Sequence, residues 1–269
     1  MCRMLGVMCN DEDLLRCAVH QVKDALSFHD GGSHDGIGVG YYNNEEPLLI
    51  KRPSANLNEI DYSELLQGIT SQVVLLHVRL ATVGGWKDSN THPFRFRKWL
   101  FAHVGHLPAM DERRQELLKR LPPFLARNIR GETDSEVAFH LFLDLLFREG
   151  KLNELDLSAE TLSELLREFV TEVNNLHQGP DKPEMAVVVT NGRIMGAISQ
   201  RVSVHYSHRE GILDCPLHDD SQQSKKLHAH FRGVMIGAAM DSPGHQWREI
   251  PDGSLLHVAN NLEMKVHQL

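Results

Sequence analysis

Three separated stretches of this chain carry side chains suited to breaking a carbon–nitrogen bond. The first is Cys2. Once Met1 is removed, the Cys2 thiol and the α-amine sit on one residue. A free α-amine has a pKa of about 7.7–8.0, so much of it is neutral near physiological pH and can act as a base. The thiolate can attack a carbonyl carbon while the amine relays the proton to the leaving group. The second stretch is His77-Val78-Arg79, which ends an apolar run beginning at Val73. On a strand, His77 and Arg79 share one face because side chains alternate with period two. An Arg at a strand end can clamp a carboxylate through two parallel hydrogen bonds. The third is Asp134, at the start of a helical pattern, where a carboxylate can pair with an ammonium group. A carboxylate clamp and an ammonium partner together describe an α-amino acid.

Blander readings compete with each of these. Many proteins carry a small residue after Met1, and Arg79 and Asp134 could form a structural ion pair with each other or with neighbours. His218, His228 and His230 lie with Asp219 and Asp220, and His205 and His208 are nearby. They lack helical i, i+4 spacing, so solvated loop histidines are favoured there and no metal site is expected. Cys9 and Cys17 read as small core residues. With Cys2 and Cys215 they form no CxxC pair, so all four are expected to be reduced thiols.

Strands and helices must position these groups. Met4 to Met8 fits a first strand, and Glu12 to Phe28 has apolar residues at helical spacing. Asp35 to Tyr42 reads as a strand whose alternate glycines admit another backbone. It turns at Asn43-Asn44 into a strand from Pro47 to Lys51. A short helix is expected from Ile60 to Ile69. Val73 to Arg79 and Trp99 to Gly105 are strands joined by a Gly-Gly turn and a polar loop. Glu112 to Leu125 is helical and broken at Pro122-Pro123. Thr133 and Glu136 have capping-box spacing ahead of a helix running through Phe147. A further helix runs from Ser158 to Leu176. Met185 to Thr190 and Arg193 to Ser199 form a hairpin about Asn191-Gly192. Val202 to Tyr206, Val234 to Ala238 and Leu255 to Val258 complete the strands, and Asp214 to Lys226 reads as a polar, irregular segment. Strands, two helices, then strands predict a mixed α/β layered domain with largely antiparallel sheets.

With 269 residues, 41% hydrophobic, the chain is long enough to bury a sizeable core, and a single domain over residues 1–269 is expected. The net charge of −8 and the lack of a basic block exclude a phosphate-backbone partner, so no nucleic acid is expected. No run approaches the roughly 18 apolar residues of a membrane span. Asn10-Asp11-Glu12-Asp13 comes too early for a signal peptide, and a cytoplasmic protein without membrane attachment is expected.

The motifs Met1-Cys2-Arg3-Met4-Leu5-Gly6, His34-Asp35-Gly36-Ile37-Gly38, His77-Val78-Arg79-Leu80-Ala81-Thr82, Asn90-Thr91-His92-Pro93-Phe94, His103-Val104-Gly105 and Gly131-Glu132-Thr133-Asp134-Ser135-Glu136 occur in order along the chain. In this order they resemble the class II glutamine amidotransferases, which are N-terminal-nucleophile hydrolases. The likeness is greatest to small stand-alone members, some of which cleave γ-glutamyl amides. The resemblance implies an α+β fold, a four-layer αββα sandwich of two antiparallel sheets. It implies Cys2 as nucleophile with its own amine as base, Arg79 binding the α-carboxylate, and Asp134 binding the α-ammonium group. His77 and Thr82 fall in the substrate-binding motif, and Gly105 would supply a backbone N–H to the oxyanion hole. No cofactor is implied. The partner is a small γ-glutamyl substrate, with a homo-oligomer or a separate synthase subunit as a further expectation.

The departures from the family pattern are specific. Val104 stands where the family has an Asn whose side chain is the second oxyanion donor. Losing such a donor costs ~10²–10³ in kcat. His103 and His106 are the nearby side chains that could replace it. Ile37 replaces a usual Trp, and Ala238-Ala239-Met240-Asp241 replaces a more polar late segment. The expected activity is cleavage of the side-chain amide of glutamine or a γ-glutamyl amide. The alternative is a catalytically impaired relative that binds an amino acid and serves as a regulatory subunit.

Overall fold

The structure is a computed structural model that describes residues 1–27, 34–57, 60–80, 85–177, 180–213, 215–219 and 221–269. In chain order the elements are β1 (Arg3–Cys9), α1 (Leu15–Gln21), β2 (His34–Asn43), β3 (Glu46–Leu57), α2 (Tyr62–Leu65), β4 (Val73–Arg79), β5 (Phe94–Phe96) and β6 (Trp99–His106). There follow α3 (Pro108–Glu112), α4 (Arg114–Arg120), α5 (Pro123–Ala126), α6 (Asp134–Arg148), α7 (Ala159–Leu176), β7 (Glu184–Thr190), β8 (Met195–Gln200) and β9 (Val204–Glu210). The last are α8 (Gln222–Ala229), β10 (Arg232–Ala238), β11 (Arg248–Ile250), β12 (Ser254–Val258) and β13 (Met264–Gln268).

The strands form two antiparallel sheets. One has seven strands in the order β11-β9-β10-β1-β4-β2-β3, and the other has six in the order β13-β12-β8-β7-β6-β5. Three apolar clusters make this a four-layer stack. Leu5, Val7, Val74 and Leu76 of the seven-stranded sheet pack with Leu14, Leu15, Cys17 and Ala18 of the α1 region. Met4, Met8, Val73 and Leu75 from the opposite face of the same strands meet Leu100, Ala102, Val104, Ala186 and Val188 between the sheets. Trp99, Phe101, Val187 and Val189 face Phe139, Phe142, Leu166 and Phe169 of α6 and α7. The period-two alternation in β1, β4 and β6 thus divides each strand between two cores. This is the αββα sandwich expected from the sequence.

Local chemistry explains most element boundaries. Ser158 caps α7 by accepting from Thr161 N at 3.1 Å, and Thr133 caps α6 by accepting from Glu136 N at 3.3 Å. The reciprocal half of the expected capping box differs. The Glu136 carboxylate turns to the amides of Arg130 and Gly131, at 2.9 and 2.6 Å, and braces the segment ahead of the helix. The long helix expected from Glu12 is broken up. A 3-10 turn at Glu12–Leu14 leads into α1, which ends at Val22 with φ −128°, and a second 3-10 turn spans Lys23–Leu26. The expected 60–69 helix shrinks to the single turn α2. Part of the supposedly irregular 214–226 segment is α8, capped by Ser221 through Ser224 N at 3.1 Å. The short strands β5, β11 and β13 were not foreseen, because three- and five-residue strands carry little periodicity.

The glycines of β2 do what their spacing suggests. A Cβ at Gly38 would lie 1.7 Å from the carbonyl oxygen of His92, so only glycine lets the 90–93 segment cross the sheet there. That crossing lays His92 against His77, with ring centroids 4.2 Å apart. Both rings are buried. Burial pushes His77 down to about 3 and holds His92 well below the usual histidine range. Burial likewise pushes His140 in α6 down to about 4.

Two expectations follow. Gly38→Ala should destabilise the chain by about 3 kcal/mol or more, because the clash is with backbone rather than with a movable side chain. Urea unfolding measures this, and a loss below about 1 kcal/mol would show that the crossing can shift. The buried histidines make the fold acid-labile. Their folded values lie below the unfolded value near 6.5, so the unfolded chain takes up protons first. The stability they confer is complete above about pH 6.5 and is lost as pH falls toward 3–4, at about 1.4 kcal/mol per pH unit for each histidine. The melting temperature should therefore drop between about pH 7 and about pH 5, and a flat profile would contradict neutral burial.

Candidate active site

The cleft between the sheet ends is small, enclosing about 40 Å³, and it gathers residues from five segments of the chain. Cys2 enters just before β1. In the β1–β4 pairing, Arg3 lies opposite Val78 and Met4 opposite His77. Continuing that register by one residue brings Cys2 opposite Arg79. Cys2 shares the inter-sheet face with Met4, and its side chain packs against that core. The thiol sits over the end of β4, accepting from Leu80 N at 3.3 Å and donating to Leu80 O at 3.4 Å. Burial pushes the thiol up, while the Leu80 amide, the positive chain terminus and Arg79 act in the opposite direction. Arg3, next in line, faces the other side and forms an ion pair with Asp241. This gives the Asp of the divergent 238–241 segment a role in anchoring the start of β1.

Arg79 is 4% exposed and donates from Nη1 to Gly85 O at 3.1 Å. Burial lowers its pKa, and the nearby Cys2 and Asp35 raise it. Asp134, the first residue of α6, is 6% exposed. Its Oδ2 accepts from Leu107 N at 2.8 Å and its Oδ1 from Ser135 N at 2.7 Å. His106 Nδ1 approaches the carboxylate at 3.7 Å. The carboxylate is thus fixed at a helix start, where the backbone dipole also favours negative charge. Cys2, Arg79 and Asp134 all line the cleft, as do His77, His103 and Gly105.

The expected oxyanion segment divides into two parts. Gly105 lies in the cleft wall with φ +142°, and a Cβ there would fall 2.0 Å from Glu184 O. This position is closed to every other residue. Val104 is 1% exposed and packs in the inter-sheet core, not in the cleft wall. His103 does not replace the missing donor. Its Nε2 faces Glu184 O at 3.1 Å and its Nδ1 faces Ser135 Oγ at 2.8 Å. Burial lowers the His103 pKa, so the ring is neutral. Ser135 Oγ lies 2.8 Å from His103 Nδ1 and 3.1 Å from Asp134 Oδ1, so its single proton serves one of these two acceptors at a time. Both His103 nitrogens thus face protein partners. His106 is about half exposed and turns to Asp134.

Other sequence expectations sort plainly. Thr82 lies outside the described residues. Ile37 belongs to the core beneath α1, so the exchange of the family's Trp at this position does not touch the cleft. Sequence reasoning gave no role to Ser135 or Asn90. Ser135 links His103 to the Asp134 turn. Asn90 is fully buried, donating to Gly85 O and Glu132 Oε2, both at 3.1 Å, and accepting from Glu132 N at 2.8 Å. It ties the turn that holds Arg79 to the segment that holds Asp134. Its place in the Asn-Thr-His-Pro motif was the available signal.

Comparison with known proteins agrees with this geometry. The profile of the glutamine amidotransferases class-II matches residues 1–265. The chain is 29% identical over 248 residues to a probable glutamine amidotransferase, DUG3, of Saccharomyces cerevisiae, covering 83% of this chain and 69% of that protein. It is 34% identical over 115 residues to a putative glutamine amidotransferase, YafJ, of Escherichia coli, covering 40% of this chain and 41% of that one. Among solved structures, a glutamine aminotransferase class-II domain protein of Silicibacter pomeroyi superposes with TM-score 0.62 at 16% identity, covering 99% of this chain and 98% of that chain. The glutamine phosphoribosylpyrophosphate amidotransferase of Bacillus subtilis superposes with TM-score 0.59 at 17% identity, covering 99% of this chain and 49% of that chain. The profile match over nearly the whole chain, on a fold that brings Cys2, Arg79 and Asp134 to one cleft, means that this chain belongs to the class-II glutamine amidotransferases.

Proposed function

We propose that this chain hydrolyses the side-chain amide of glutamine or of a small γ-glutamyl amide, with Cys2 as nucleophile. One observation carries the reading: a thiol, a buried guanidinium and a buried carboxylate from three distant segments line one small cleft. The cation suits an α-carboxylate and the anion an α-ammonium group, which fixes the amino-acid end and directs the side-chain amide toward the sulfur. Burial keeps the Cys2 thiol protonated, so attack needs a local base. After Met1 is removed, the Cys2 α-amine supplies it. Sulfur bonds to the amide carbon as the amine takes the thiol proton. The tetrahedral intermediate collapses, and the ammonium returns the proton to the departing nitrogen. Water then attacks the thioester, releasing the γ-carboxylate and restoring the thiol. A homo-oligomer, or a separate synthase subunit that consumes the released ammonia, is compatible with this chemistry.

The burial of Val104 favours a second reading. With no side-chain donor at that position, the developing oxyanion has the Gly105 amide as its named donor. The chain would then bind a γ-glutamyl compound with little or no turnover and act as a regulatory subunit. On this reading Arg79→Ala abolishes binding in calorimetry while the parent shows no turnover.

Four measurements test the catalytic reading. Intact mass should show a chain lacking Met1, since retention removes the base. Glutamate release from glutamine or γ-glutamyl amides should vanish in Cys2→Ala, and equal release by both proteins would exclude the nucleophile. For the active protein, kcat/KM should rise with pH through about 7.7–8.0 to a plateau, because the protonated amine cannot accept the thiol proton. Val104→Asn should raise kcat by ~10-fold or more if the oxyanion hole lacks a donor. An unchanged kcat would mean that another group already serves or that another step limits the rate.

A further inference from the structure

A second cluster of chemically capable side chains lies on the far side of the seven-stranded sheet from Cys2. Cys17 is on α1 and nearly fully buried. Cys215 and His218 are in the connection between β9 and β10, and His228 is in α8, 8% exposed. The sequence reading treated Cys17 as a core residue and the histidines as solvated, because nothing in the chain order links residue 17 to residues 215–228. In the fold they converge. Cys17 Sγ lies 3.2 Å from His218 Nδ1, His228 Nε2 lies 3.2 Å from the same nitrogen, and Cys215 Sγ lies 3.8 Å from it. One ligand atom from each of the four residues falls within 4.8 Å of all the others.

Hydrogen bonding does not account for this convergence. A neutral imidazole nitrogen offers one proton or one lone pair, yet three heteroatoms crowd His218 Nδ1. A central cation does account for it. Four ligands tetrahedrally placed about zinc, at about 2.3 Å for sulfur and 2.0–2.1 Å for nitrogen, would stand about 3.3 Å apart for N···N and about 3.6 Å apart for S···N. The observed separations fall on either side of these values. Two soft thiolates with two imidazoles suit Zn²⁺ and disfavour Mg²⁺ or Ca²⁺, which take oxygen ligands. Charge also balances, since two thiolates neutralise a divalent ion beside the apolar packing of α1.

We propose that Cys17, Cys215, His218 and His228 form a tetrahedral Zn²⁺ site. Binding joins the ion to two sulfurs and two ring nitrogens and releases the two thiol protons to solvent, with no change of oxidation state. Four protein ligands close the coordination shell, so the site is structural. It fastens the β9–β10 connection to α1. Existing bonds already aim the ligands: Ile212 N donates to His228 O at 3.1 Å, and Gln21 Nε2 donates to Leu213 O at 2.9 Å. Cys215-Pro216-Leu217-His218 gives two of the ligands a two-residue spacer, a separation common in zinc sites.

The test uses the full-length chain purified without chelator and dialysed against metal-free buffer. Elemental analysis should find about one zinc per chain. The double variant Cys215→Ser/His218→Ala should bind at least ten-fold less and melt at a lower temperature. Both substituted residues lie outside the buried core, so that variant is expected to fold, and circular dichroism checks this. Co²⁺ in place of zinc should give the visible absorption of a tetrahedral site with thiolate charge transfer, lost in the variant. Thiol titration of the unfolded protein should find all four cysteines reduced. Zinc retained in the double variant, no zinc or cobalt bound by the parent, or two thiols missing through a Cys17–Cys215 disulfide would each overturn the proposal.

Discussion

The register between β1 and β4 is the constraint on which the rest of the molecule depends. Arg3 opposite Val78 and Met4 opposite His77 place Cys2, His77 and Arg79 on the face toward the second sheet. Side chains alternate with period two, so a slip of β1 by one residue would send Cys2 into the layer beneath α1, away from His77 and Arg79. Both faces of these strands are apolar and buried, and each face is matched to a different core. The slip would therefore also move Arg3 into the inter-sheet core. Hydrophobic partition and nucleophile placement are enforced by the same alternation. The pairing of Arg3 with Asp241 adds an electrostatic anchor at the strand end, where β1 would otherwise be free to fray.

Around that register the cleft is preorganised by backbone groups rather than by a network of charges. The Asp134 carboxylate rests on two amides, the Cys2 thiol rests on the amide and carbonyl of Leu80, and His103 bridges a hydroxyl and a carbonyl. Neutral histidines fill the space that a protonated group would leave strained. The arrangement keeps the cleft's charge in two places, Arg79 and Asp134, which suits a zwitterionic ligand.

Much of this was legible in the chain because it lies in short, strongly patterned pieces. The apolar run ending in His77-Val78-Arg79 dictated a strand with two polar residues on one face, and the β2 glycines dictated a close crossing. The Thr133 cap was readable from its spacing, but the destination of Glu136 was not, since it depends on where Arg130 and Gly131 turn. The breaks in the 12–28 region and the single turn of α2 escaped because tertiary contacts end those helices before their propensity does. The cluster at Cys17, Cys215, His218 and His228 was invisible for a different reason. Its members are brought together by the β1–β10 pairing and by the packing of the β9–β10 connection on α1, contacts between distant parts of the chain.

The order of strands in the two sheets has a consequence for how copies of this chain meet. The exposed borders are β3 and β11 on one sheet and β5 and β13 on the other. β3 carries Glu46, Lys51 and Arg52 and is interrupted by Pro47 and Pro53, β5 carries Arg95, β11 opens with Arg248-Glu249, and β13 includes Lys265. Prolines withhold the amide that a new neighbour would need, and charges on a border strand resist being buried against an identical one. Sheet-to-sheet extension into a continuous ribbon is disfavoured along these borders, most strongly at β3 with its two prolines.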